Sequence, residues 1–322
     1  MLKKYSRRGY SVILEANVKI IEMVDGFLNT FFESEIIEIS VDTTWHVMLQ
    51  ENSKWFLQER MQEIVLEQLT EPDIHVYFDG KAKKIGLIEE NECNWQVQNL
   101  IRMIRVLIRL QCQETETFFL HGGCVSYKGS GICFLGDKCA GKTSSILSFL
   151  SYEESQFVSN DDVSVYQSEG VWYAEGWPRS IVVRADTWMK LNGKEFEHIH
   201  PLNARVEAPC LYPQQIGKLF GRNYIRECPV EYIVFPQFAD CRQACVRELP
   251  KNIAQTKMKK QVLSNPGKYN EFLLPFFLSN QKKVLNELDL IFDYVTFLEL
   301  TQNFNSLGEG TESLVSFIDK VI

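Results

Sequence analysis

Ile132-Cys133-Phe134-Leu135-Gly136-Asp137-Lys138-Cys139-Ala140-Gly141-Lys142-Thr143-Ser144 is the stretch on which the reading of this 322-residue chain turns. Its first four residues are apolar and short, as in a buried strand. The next eight match G-x-x-x-x-G-K-[ST] at every fixed position. Two glycines let the backbone wrap so that successive N–H groups face an anion. Lys142 supplies a point charge for β- and γ-phosphates, and Thr143 offers a hydroxyl to Mg²⁺. Ile146, Leu147, Phe149 and Leu150 mark a helix over 142–150, whose positive end points at the same anion. The bare pattern arises by chance in roughly one chain in a hundred of this size. A strand before it and a helix after it make the site specific: Gly136, Asp137, Lys138, Cys139, Ala140, Gly141, Lys142, Thr143 and Ser144 are read as binding a nucleoside triphosphate, ATP with Mg²⁺.

One helix downstream, a strand over 156–159 leads into Asn160-Asp161-Asp162. Asn-Asp-Asp is turn chemistry and also a pair of carboxylates able to hold Mg²⁺ or take a proton. Its position favours the second use, because a single short helix separates it from Lys142 and the two strands are expected to be neighbours. One hairpin upstream, Phe119-Leu120-His121-Gly122-Gly123 carries a histidine. A lone histidine is commonly structural, but this hairpin would return it toward the phosphates, where it could tune an aspartate.

Further out, the spacing predicts strands over 118–120, 124–127, 163–166, 171–173, 181–183, 232–235 and 295–300. It predicts helices over 97–111, 280–288 and 312–321, the first preceded by Asn94 as a cap. Residues 35–41 read as a strand, 55–69 as a helix, and 75–78 with 84–87 as a hairpin. Residues 186–228 carry Pro201, Pro209 and Pro213 and read as irregular. The character of the chain changes near 113. This divides it into an N-terminal α+β domain, 1–112, suited to substrate recognition, and a second domain, 113–322.

Net charge is −8, so a nucleic-acid surface is not expected. The small basic clusters at Lys3-Lys4/Arg7-Arg8 and 257–260 read as solvated surface. Nine cysteines, with no CxxC pair, read as free thiols in a reducing cytoplasm rather than as disulfides or a metal site. No apolar run approaches 18 residues and the N-terminus lacks an apolar core, so neither a membrane span nor a signal peptide is expected.

From Phe118 to Val165 the chain resembles the catalytic core of the HPr kinase/phosphorylase family. The matching parts are Leu120-His121-Gly122, the turn at 128–131, the loop 136–143 and the pair Asp161-Asp162. Similarity continues more loosely through Gly176-Trp177-Pro178 and residues 181–184. The resemblance implies an α/β fold: a P-loop kinase core of the HPr kinase/phosphoenolpyruvate carboxykinase type on a mixed sheet. It implies Asp161 as the base that deprotonates an acceptor hydroxyl, His121 as its partner, Asp162 and Thr143 on the Mg²⁺ side, and Lys142 as the phosphate clamp. By analogy it also implies a homo-oligomer. Where the HPr enzymes carry E-I-R-G-L-G, this chain has Ala174-Glu175-Gly176-Trp177-Pro178-Arg179. That departure points to the divergent members, some of which phosphorylate serine in ribosomally made peptides such as lasso peptide precursors.

The expectation is therefore a kinase that moves the γ-phosphoryl group of ATP to a Ser or Thr hydroxyl of a peptide or protein. Arg184 is its first candidate for the cation that neutralises the phosphoryl group, with Arg179, Arg205, Arg222 and Arg226 as rivals. The competing reading is a nucleotide-dependent switch or ATPase. A GTPase would carry N-K-x-D and a transporter ATPase an L-S-G-G-Q-like string, and neither occurs.

Overall fold

In the computed structural model, β1 (Leu2–Arg7) and β2 (Tyr10–Glu15) form a hairpin. Its two-residue turn places Arg8 and Gly9 at φ 49° and 82°, the primed geometry that matches strand twist. The residues described are 1–39, 43–67, 72–89, 93–113, 115, 117–179, 181–192, 210–263, 270–277 and 288–320. They fall into two compact units: Met1–Thr115 with Asn265–Asn280, and Glu116–Ser264 with Gln281–Ile322. The first unit thus borrows a segment from far along the chain, which the division at 112/113 did not foresee. Phe276 and Phe277 of that segment pack on Trp45, at ring distances of 6.0 and 5.6 Å.

In the first unit, α1 (Val18–Leu28) starts at Asn17, whose side chain accepts from the Ile20 N–H at 2.9 Å. After it come β3 (Glu33–Ile37), β4 (Trp45–Gln50), α2 (Lys54–Gln58), β5 (Gln62–Leu66), β6 (Ile74–Asp79), β7 (Lys84–Ile88) and α3 (Cys93–Gln113). The sheet order is β3-β1-β2-β4-β7-β6-β5. The expected helix over 55–69 is only α2. Arg60 turns the chain at φ 58°, and 62–66 pairs antiparallel with β6. Sheet pairing has overridden the helical spacing there, and Leu69 lies outside the described residues. Helix α3 begins at Cys93, so Asn94 sits in its first turn rather than ahead of it. Arg7, read as solvated, is 6% exposed and donates to the Phe31 carbonyl at 3.2 Å.

The second unit opens with β8 (Phe118–Leu120), β9 (Gly122–Tyr127), β10 (Ser130–Leu135), α4 (Lys142–Phe149), β11 (Ser155–Ser159), β12 (Val163–Ser168) and β13 (Val171–Gly176). It continues with β14 (Ile181–Val182), α5 (Ala185–Asn192), β15 (Cys210–Leu211), α6 (Pro213–Phe220), β16 (Glu227–Phe238), β17 (Cys245–Glu248), α7 (Lys251–Gln261), β18 (Thr296–Gln302) and α8 (Leu307–Ile318). Nine of these strands form a mixed sheet, ordered β11-β9-β10-β16-β13-β12-β8 with β18 joining β16 to β17, while β14 and β15 pair separately. Of the segment 186–228 the described parts, 186–192 and 210–228, hold α5, β15, α6 and the start of β16. Pro213 takes the first helical position of α6, where a missing N–H costs nothing, while Pro201 and Pro209 lie outside the described residues. Of the helix expected over 280–288 only Leu288 is described, and it opens a 3-10 turn, Leu288–Asp293. The closing helix starts earlier than expected, at Leu307.

The core is read off a period of two. Along β9, β10 and β16, Cys124, Cys133, Leu135, Ile233 and Phe235 face one cluster, with Val163, Val165, Trp172 and Ala174 of β12 and β13. Val125, Ile132, Phe134, Tyr232 and Val234 face the other, with Ile146, Leu147 and Phe149 of α4 and Leu314 and Ile318 of α8. Both faces are covered, so the strands are apolar throughout. Strands β10 and β11 are not neighbours as expected. The β9–β10 hairpin leaves the second edge of β9 open, and β11 pairs there. Because β9 is antiparallel to both, β10 and β11 run parallel and their C-terminal ends emerge on one edge, where the 136–144 loop and the acidic turn lie.

Candidate functional site

Gly122 and Gly123 bring the two halves of this edge together. A Cβ on Gly123 would lie 2.5 Å from the Ser159 carbonyl and 2.8 Å from Asn160 Cα; on Gly122 it would lie 2.5 Å from the Phe134 carbonyl. Only glycines let β10 and the end of β11 close on β9 this tightly. His121, just before them, is held by its backbone N–H on the Gln261 carbonyl at 2.8 Å.

The loop itself has Gly136, Cys139 and Gly141 at φ 155°, 70° and 101°. Gly141 sits at the N-terminus of α4, where no side chain caps the helix, leaving that end's N–H groups to an anion. Lys142 is 9% exposed and folds back over the loop, donating to the carbonyls of Gly136 (2.7 Å) and Asp137 (2.9 Å). Burial pushes its pKa down, opposed by the charges of Asp161, Asp137 and Cys139. Gln261 of α7 donates to Asp137 at 3.0 Å, and Gln302 at the end of β18 donates to Ser145 at 2.9 Å. Ser144 meets Thr187 of α5 at 3.3 Å.

Thr143 Oγ1 donates to Asn160 Oδ1 at 3.0 Å, which clasps the loop to the acidic turn. Asp161 lies in that turn at φ 66°, a left-handed conformation that Asp tolerates. Its Oδ2 receives Arg179 Nη2 at 2.9 Å, and its Oδ1 is 3.8 Å from His121 Nδ1. Asp161 is 35% exposed at its side chain, while Asp162 is 1% exposed. Asp161 therefore reaches the surface and Asp162 lies beneath. Burial, then the Lys142 charge, lower the pKa of His121 against the pull of Asp161, so the imidazole is neutral near pH 7.

The sequence-derived residues thus converge, with differences of detail. Arg184 is exposed and places Nη2 3.0 Å from Cys139 Sγ, on the loop. Arg179 is on the acidic turn instead. Arg222 is occupied elsewhere, on the carbonyls of Leu150, Ser151 and Tyr152 beyond the far end of α4. The Arg226 carbonyl accepts from the Gly176 N–H, and Arg205 is outside the described residues. Asn160, Gln261 and Gln302 were not read from the sequence. Asn160 directly precedes the acidic pair and could have been; the glutamines lie more than a hundred residues from the loop, with no local signal.

Among the described residues, no group of three or more His, Cys, Asp or Glu gathers around a metal position. Mg²⁺ takes one or two protein ligands and completes its shell with phosphate and water. The Thr143 hydroxyl, with the Asn160 amide oxygen beside it and the buried Asp162 nearby in the turn, is an all-oxygen set of that kind.

No protein-family model matches the chain. No curated protein matches it. Among solved structures, the Hpr(Ser) kinase/phosphatase from Coxiella burnetii is similar over 63% of this chain and 97% of that one, at 11% identity and a TM-score of 0.34. So slight a likeness carries no weight here, and the geometry stands by itself. No helix among the described residues is long and apolar enough to cross a membrane.

Proposed function

We propose that this chain is an ATP- and Mg²⁺-dependent kinase with a P-loop core, transferring the γ-phosphoryl group to a Ser or Thr hydroxyl of a peptide or protein. The observation that carries the reading is the Thr143–Asn160 clasp, which sets a glycine loop built for phosphates against an aspartate held by a histidine and an arginine. Lys142 leaves the loop carbonyls for the β- and γ-phosphates, and the N–H groups at the start of α4 face the same oxygens. Thr143 and Asp162 serve Mg²⁺, which when bound neutralises charge on the phosphate oxygens. Asp161 takes the proton of the acceptor hydroxyl. The acceptor oxygen then bonds to the γ-phosphorus as the bond to the β-bridging oxygen breaks, giving a phosphoester and ADP. His121, neutral, orients Asp161, and Arg184 on the loop balances charge on the transferring group.

The unit Met1–Thr115 with Asn265–Asn280 is a candidate acceptor-recognition module, and the departure at 174–179 favours a ribosomally made peptide over HPr. The site is cytoplasmic chemistry in this reading, since ATP is the donor. The test is mass spectrometry of a pool of Ser- and Thr-containing peptides incubated with the protein and MgATP. A peptide heavier by one phosphate supports the kinase. ADP release with every peptide unchanged supports an ATPase or switch instead.

A further inference from the structure

The donor site has two ends, and the sheet gives them different neighbours. On the β11 side stand Asp161 and His121. On the other side lie the C-terminal ends of β16 and β18, both parallel to β10. If the γ-phosphate faces Asp161, the nucleoside leaves the loop over β16 and β18. Ligands of such sheets lie outside the carboxyl ends of the strands.

Two aromatic rings stand there. Phe238 is the last residue of β16, and its ring would meet a Cβ on Gly141 at 2.9 Å. It is therefore in contact with the loop itself. Phe304 opens the 3-10 turn Phe304–Ser306 directly after β18. The two rings meet edge to face, 5.4 Å apart at 85°. Both are half-buried, whereas Phe118, Phe119, Phe134, Phe149 and Phe157 elsewhere in this unit are at most 2% exposed. The connections around them are fixed. Ala239 N–H donates to the Gln302 carbonyl at 3.0 Å, and the Asn303 side chain donates to the Cys241 carbonyl at 3.3 Å and accepts from the Asn305 N–H at 2.9 Å. Half-exposed rings on a rigid base suit the face of a nucleobase, which stacks without needing a hydrogen-bond code.

We propose that Phe238 and Phe304 form the stacking platform for the purine base of the bound nucleotide. The proposal rests on the reading of 136–144 as a nucleotide site. Its test is calorimetric titration of the full chain with MgATP and, separately, with magnesium tripolyphosphate, which has the phosphates without the base. The wild-type chain binds both. Phe304→Ala weakens ATP by about tenfold or more and leaves tripolyphosphate within twofold. Phe238→Leu, which keeps the packing against Gly141, has the same selective effect. Unchanged ATP affinity, or an equal loss for both ligands, would overturn the platform while leaving the loop reading intact. A wild-type chain that binds neither ligand overturns both.

Discussion

Arg179 Nη2 lies 2.9 Å from Asp161 Oδ2, so the carboxylate we propose as acceptor of the hydroxyl proton is held in place by a guanidinium. The opposite oxygen faces His121. Arg179→Gln removes a charge-assisted bond between groups 44% and 35% exposed. Phosphoryl transfer is expected to fall roughly 10- to 100-fold, with ATP affinity nearly unchanged. Arg179→Lys restores part of the rate. Single-turnover kinetics alongside equilibrium ATP titration separate the two effects. A loss confined to ATP affinity would make Arg179 a phosphate ligand.

Asp161→Ala is expected to lower transfer by about 10²–10⁴-fold while ATP remains bound. Combining it with Arg179→Gln adds little further loss, because both act through one carboxylate. Additive losses in rate assays of the double variant would separate their roles.

His121 provides a pH signature. Its folded pKa is lowered, chiefly by burial and then by Lys142, so its neutral form persists below the ordinary histidine value of about 6.5. Transfer should hold steady down to that region and fall as pH drops through the lowered value. His121→Asn flattens this limb in a pH–rate profile. A limb unmoved by the substitution would remove His121 from the mechanism.

Gly123→Ala tests the closure of the site. The added Cβ would sit 2.5 Å from the Ser159 carbonyl and force β9 and the acidic turn apart. A loss of about 1–3 kcal/mol in stability is expected, with a larger proportional loss of transfer. Thermal unfolding and kinetics measure both.

Glu299 links stability to acid. It is 4% exposed, with Lys257 at 2.8 Å and Arg247 beside it. Burial raises its pKa, but the two cations outweigh that and hold it below the ordinary carboxylate range. The unfolded chain then binds the proton first, so stability from this cluster is present above about pH 4.5 and fades as pH falls through the lowered value. Glu299→Gln should be less stable at pH 7 and show a shallower acid loss in denaturant titrations.

The glycine-loop half of this site was legible because its pattern is local. The loop needs its glycines, lysine and threonine in one run, and strand and helix flank it within a few residues. His121-Gly122-Gly123 was legible as a motif, though its physical reason, two backbones closing on either side, emerges only in three dimensions. What the sequence hid is non-local. The place of β9 between β10 and β11 depends on which hairpin edge is free. Residues 62–66 follow a helical spacing and become a strand because β6 offers a partner. Gln261 and Gln302 reach the loop from α7 and β18. Arg184 and Arg179 are five residues apart, yet one lies on Cys139 and the other on Asp161. Nothing in their local sequence distinguishes them.

Titration with MgATP of the wild-type, Lys142→Ala and Asp161→Ala proteins tests most directly whether 136–144 is the donor site of a phosphotransferase. The expected result is one tight site in the wild-type chain, at least about tenfold weaker binding in Lys142→Ala, and near wild-type affinity in Asp161→Ala. Equal affinity in Lys142→Ala, or no binding by the wild-type chain, would contradict it.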